Sequence, residues 1–176
     1  SLTMVDPANA DFFAIVGAST SPTLESSISQ WNQLVSLSPG STGIIVLPNF
    51  ECFSIDLTEA ACIQLPSGCR LSLVAGQPIP TGGPLDVIWN HSCVTLNGNI
   101  EVVGAAGVPL PQGEVEPAGQ LLISGLWIAG QLSITGETAS VQSADSTLVP
   151  GIGLTRPGDP VSPGDPSMNV TATQAD

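Results

Sequence analysis

One short phrase, apolar-x-apolar-x-Gly with Leu, Ile or Val at both apolar positions, occurs five times in this chain and narrows what it can fold into. The copies are VTLNG at residues 94–98, IEVVG at 100–104, LLISG at 121–125, LWIAG at 126–130 and LSITG at 132–136. LSLVAG at 71–76 is a sixth copy with one extra residue. Each copy predicts a very short strand with one buried face, closed by a glycine that can take the positive φ of a sharp corner. A unit this small cannot bury its apolar face alone, so the copies must stack on one another.

The gaps between strands suggest how they stack. Comparable strands start at Val46, Leu71, Val94, Leu121 and Leu148, in steps of 25, 23, 27 and 27 residues. A turn of a right-handed parallel β-helix uses about that much chain, with three short strands per turn. A left-handed β-helix would need an unbroken six-residue repeat, and residues 77–84 and 105–119 interrupt it. Both interruptions are proline-rich, and proline removes a ladder donor, so they should project as loops. The expected fold is therefore all-β: a right-handed parallel β-helix, or solenoid, with a short N-terminal capping helix.

That helix is read from residues 21–37. Ser21-Pro22 resembles an N-cap followed by a first-turn proline. Leu24, Ile28, Trp31, Leu34 and Val35 then recur at helical spacing until Pro39-Gly40. The apolar stripe would cover one end of the stack, as terminal repeats require. Residues 1–42 thus form an N-terminal segment with the capping helix, and residues 43–176 the β-helix. A further strand begins near Asn169, so the stack is expected to continue beyond Asp176.

Charge restricts the partners. Asp and Glu total 15 against two cations, Arg70 and Arg156, for a net charge of −13. Nucleic acid is excluded as a partner, because phosphate neutralisation needs clustered Lys or Arg. No apolar run approaches the roughly 20 residues needed to span a bilayer, so membrane insertion is not expected. The acidic surface keeps an apolar, sheet-rich body soluble.

Catalytic chemistry is hard to place on these residues. The only histidine, His91, lies in WNHSC beside Cys93, but nucleophile and base usually come from separate elements. Cys52, Cys62, Cys69 and Cys93 form no Cys-x-x-Cys pair, so no metal site is assigned. Cys69 and Cys93 lie one expected turn apart, either as buried thiols or as a disulfide. Acidic residues are too scattered for the paired carboxylates of a glycoside hydrolase, and a polysaccharide lyase would have Arg70 as its nearest candidate base. No catalytic residue and no cofactor is assigned.

The ending STLVPG at residues 146–151, followed by PGDPS at 163–167, resembles a β-helix segment of large bacterial proteins. Several of those belong to phage-tail-like or contractile injection assemblies. There a CTLVPG strand closes a turn, and LWIAG at 126–130 is similar to the GLWIAGG strand before it. The resemblance spans residues 121–170, with Ser146 standing where the pattern has Cys. It implies a structural role in a large assembly and carries no catalytic motif.

The expected function is a non-enzymatic structural or interaction module: a rigid acidic β-helix in a cell-surface or phage-tail-like assembly, held by other protein chains or by the rest of its own. The alternative is a β-helix that binds or cleaves carbohydrate. Its candidate residues are Trp89 and Trp127, whose rings would stack on sugars, and the loop carboxylates Glu114 and Glu116. Trp127 falls between Leu126 and Ile128, so strand alternation points it outward.

Overall fold

In the computed structural model, residues 5–17, 22–48, 54–79, 86–88, 94–105, 117–137, 140–151, 159, 161 and 166–172 are described. Strands such as Val94–Asn97, Ile100–Gly104 and Leu132–Gly136 alternate buried and more exposed positions, as the repeated phrase requires. Strand β1 (Phe12–Ile15) precedes helix α1 (Leu24–Leu37). Then follow β2 (Thr42–Pro48), β3 (Ser54–Asp56), β4 (Ala61–Leu65), β5 (Arg70–Ile79), β6 (Asp86–Ile88), β7 (Val94–Asn97) and β8 (Ile100–Gly104). The chain finishes with β9 (Gln120–Ser124), β10 (Leu126–Ala129), β11 (Leu132–Gly136), β12 (Ser140–Ala144), β13 (Thr147–Val149) and β14 (Met168–Ala172).

These strands form three parallel sheets. The first has the order β1-β2-β5-β9-β12, the second β3-β7-β10-β13 and the third β4-β8-β11-β14. From β2 onward the parallel strands visit the sheets in the same cyclic order, so strands adjacent in sequence lie in different sheets. Each sheet turns one face to a shared core. Leu71, Leu73, Leu121 and Ile123 come from the first, Leu96 and Ile128 from the second, and Ile63 and Val102 from the third.

This arrangement corrects the all-β right-handed β-helix expected from the phrase. The fold is α/β: three separate parallel sheets and a 14-residue helix whose buried face belongs to the main core, in place of one solenoid stack. The uniform step of 23–27 residues fails as well. Leu71 pairs with Leu121, fifty residues on, and Leu121 with Val141, only twenty on. Val94, placed between Leu71 and Leu121 in that series, pairs instead with Leu126 in the second sheet. The physical reason is that strands of all three sheets bury one face and turn at a glycine. The phrase therefore marks a strand without marking its sheet.

The glycine corners hold the sheets in register. Gly130 sits over Gly98 with φ +157°, and a Cβ there would collide with the Gly98 carbonyl. Below the corner the Asn97 amide donates to Asp56 Oδ1 (2.7 Å) and Ser54 Oγ (3.0 Å) across the β3–β7 edge. Ser146 works similarly near β10, accepting from the Leu126 N–H at 3.1 Å and donating to the Ala144 carbonyl at 2.9 Å.

Helix α1 starts two residues after the point that Ser21-Pro22 suggested. Thr23 is the N-cap, its hydroxyl accepting from the Ser26 N–H at 3.1 Å. Leu24, Ile28, Trp31 and Val35 form the buried stripe. Trp31 is wholly buried; its ring lies 6.2 Å from that of Phe12 at 56° and fills the space left by Gly43. Truncating a buried indole typically costs about 3–5 kcal/mol, so this contact anchors the helix.

Two further details differ from the sequence reading. Gln77, Pro78 and Ile79, expected in a loop, continue β5 and pair antiparallel with β6. That places Pro78 in a peripheral hairpin, where a missing ladder donor is tolerated. The first sheet also buries its outer face: Ile44, Val46 and Val74 pack with Val5 from the N-terminal segment.

Candidate interaction surface

Of the residues singled out for carbohydrate, only Trp127 is among the described residues. Trp127 lies on the outer face of β10, level with Thr95 on β7 and Thr147 on β13. It is half-buried, and its indole N–H is shielded from solvent with no acceptor among the described residues. Trp89, Glu114 and Glu116 lie outside the described residues, as do His91, Cys52 and Cys93. Cys69 is buried, and its carbonyl accepts from the Gln120 N–H at 2.9 Å.

A cleft of about 230 Å³ separates α1 from β4, lined in part by Glu25, Ser29, Asn32, Thr58 and Cys62. Glu25, Asn32 and Thr58 are engaged by the fold. Glu25 Oε1 accepts from the Thr58 N–H (3.2 Å) and hydroxyl (3.3 Å). The bond from the backbone N–H, foremost, holds this carboxyl below the ordinary carboxylate value. Burial, followed by the nearby Glu101 carboxylate, pushes the Cys62 thiol up, so it stays protonated at neutral pH. Among the described residues, no three His, Cys, Asp or Glu side chains gather to hold a metal ion.

Asn32 has a different task in this cleft. Its amide nitrogen donates to the Cys62 carbonyl and its oxygen accepts from the Gln64 N–H, both at 2.8 Å. Beside it, Trp31 Nε1 donates to the Gln64 carbonyl at 2.9 Å. Strand β4 is the first of its sheet, and these helix side chains take the place of a preceding strand.

The other end of the molecule has no such cover among the described residues. Strands β12, β13 and β14 are each the last of their sheets, and they follow one another in the chain. Exposure along one inward-facing column shows the contrast. Ile63 and Val102 are 0% exposed, Ile134 8% and Val170 58%. In the next column Leu132 is 1% exposed and Met168 43%. Ser143, also inward-facing, is exposed, while Val141 and Leu148 are half-buried.

Their sequences, SVQSA, TLV and MNVTA, contain no charge and no proline. Natural edge strands are usually protected by just those residues. Sequence reasoning found the exposed strand near Asn169 but missed β12, whose small residues lack apolar alternation. The absence of charge from residues 140–144 and 168–172, in so acidic a chain, was the available signal.

Comparison with protein families, curated proteins and solved structures finds no match for this chain. The phage-tail-like role implied by the LWIAG and STLVPG segments is accordingly withdrawn. No comparison supports it, and the single solenoid on which it rested gives way to three sheets and a helix. No helix among the described residues is long and apolar enough to cross a membrane.

Proposed function

We propose that this chain is a non-enzymatic structural module that docks to protein through the end formed by β12, β13 and β14. The observation that carries the reading is the inward column in which exposure rises from 0% at Ile63 to 58% at Val170. One end of the core is closed by α1, and the other presents apolar side chains beside three uncharged strands. Edge strands recruit partners through main-chain hydrogen bonds, and neighbouring apolar side chains add burial. Glu25, Asn32 and Thr58 of the α1–β4 cleft are already committed to holding the helix, which supports a structural reading over a catalytic one.

Site-specific photo-crosslinking in the native host tests this. A benzophenone amino acid at Val170 should give a covalent protein adduct, and the same group at exposed Glu59, near the helix-capped end, should not. No adduct from Val170, or equal yields from both positions, would refute the proposal.

A further inference from the structure

We infer that Asn97 is a deamidation site gated by strand β3, and that its conversion releases β3 permanently. Asn97-Gly98 is the one Asn-Gly pair in the sequence. In such a pair no side chain on the glycine hinders attack of its backbone nitrogen on the asparagine Cγ. A bond forms from that nitrogen to Cγ, the bond from Cγ to Nδ2 breaks, and ammonia leaves with the proton of the glycine N–H. Water then opens the cyclic imide to aspartate or isoaspartate.

The corner requires this glycine. Gly98 has φ +137°, and a Cβ there would meet the Leu57 side chain at 2.7 Å. The fold therefore keeps the vulnerable pair, and it restrains both reacting groups. The attacking nitrogen is engaged on one side, where the Gly98 N–H donates to the Ala129 carbonyl at 2.9 Å. The leaving group is engaged on the other, where Asn97 Nδ2 donates to Asp56 Oδ1 at 2.7 Å and Ser54 Oγ at 3.0 Å. A carboxylate only accepts hydrogen bonds, which fixes the amide this way round. The second restraint is the weaker one. Strand β3 has three residues and lies at the edge of its sheet, and edges open more readily than strands inside.

The product keeps β3 from closing again. A carboxylate at position 97 would stand where the amide now meets Asp56, and neither group of that pair could donate to the other. Among the described residues the one cation is Arg70, which opens β5 in the first sheet, whereas β3 and β7 belong to the second. Isoaspartate also lengthens the main chain by one carbon, which disturbs the register of β7 with both neighbours. The effect reaches further along the chain. The Leu57 N–H donates to the Asn97 carbonyl at 2.8 Å, and the next residue, Thr58, holds Glu25 of α1. Conversion of Asn97 thus loosens the helix-capped end of the core.

Timed peptide mapping by mass spectrometry of the purified chain at mildly alkaline pH is the test, with the chain folded and in urea. In urea the peptide holding Asn97 should gain the mass of an amide-to-acid exchange and separate into two isomers. Asn99, which precedes the β-branched Ile100, should convert more slowly and serves as the internal reference. In the folded chain Asn97 should convert about tenfold more slowly or less, because reaction waits on local opening. Asp56→Ala should recover much of the urea rate, while Asn32→Ala, which acts on the third sheet, should not. Asn97→Asp, a direct copy of the product, should speed amide exchange at Leu57 several-fold and leave Val102 near the parent rate. Equal rates for Asn97 folded and unfolded, conversion in urea no faster than at Asn99, or a folded rate unchanged by Asp56→Ala would each overturn the gating. Unchanged Leu57 exchange in Asn97→Asp would overturn the release of β3.

Discussion

The side-chain oxygen of Asn32 and the backbone N–H of Gln64 meet at 2.8 Å, so a helix residue occupies the position of a missing strand. The same amide donates to the Cys62 carbonyl, also at 2.8 Å. One side chain therefore satisfies two backbone groups of the first strand in the third sheet.

Asn32→Ala should destabilise the chain by about 1–3 kcal/mol in urea unfolding, the usual cost of leaving partly buried polar groups without partners. Amide exchange at Gln64 should accelerate more than exchange at Val102 in the middle of the same sheet. Equal acceleration at both positions would mean that Asn32 acts only through packing of α1.

Glu25 links α1 to the segment between β3 and β4, and its carboxyl lies below its ordinary value of 4.5 because the Thr58 N–H stabilises the charged form. A carboxyl lowered by folding contributes stability that is complete above its unfolded value and is lost as pH falls through its folded one. Stability should therefore be level from neutral pH to about 5 and decline below 4.5. Glu25→Gln should lower the neutral-pH urea midpoint and shrink the acid-induced loss. An unchanged acid limb would show that Thr58 does not sense this charge. Asp11, held below its ordinary value by the Thr42 N–H and hydroxyl, should behave in the same direction.

Two glycines separate backbone strain from collision. Gly40 has φ +84° and open space around its Cβ position, so Gly40→Ala should cost about 1 kcal/mol from conformation alone. At Gly130 a Cβ would also strike the Gly98 carbonyl, so Gly130→Ala should cost clearly more, on the order of 2–4 kcal/mol. Thermal unfolding of the two variants gives the comparison, and equal shifts would deny the close approach at this corner.

What was legible in the sequence was the strand, and what was not was its neighbour. Leu96, Ile128 and Ile134 announce buried positions because each alternates with a more exposed one before a glycine. Nothing in that local pattern states that Leu71 lies beside Leu121 while Val94 lies in another sheet. Pairing is decided by the length of chain between strands, and loop length costs little free energy. The helical spacing of Leu24, Ile28, Trp31 and Val35 was equally plain, yet it gave no hint that Trp31 would fill the space at Gly43 or that Asn32 would stand in for a strand. An edge-capping amide has no periodic signature. Of the carbohydrate candidates only Trp127 could be placed, and alternation did put it on the outer face.

That tryptophan separates the two functional readings. Its N–H is shielded and has no acceptor among the described residues, so the ring contributes apolar contact while the donor is a cost. Trp127→Phe should keep most of the contact and discard the orphaned donor, leaving stability within about 1 kcal/mol of the parent or slightly higher. Trp127→Ala should lower stability through lost packing against its neighbours on β7 and β13. On a glycan array, a docking module should show no binding that depends on this residue. Glycan binding by the parent that disappears in both variants would instead assign the outer face of β10 to carbohydrate.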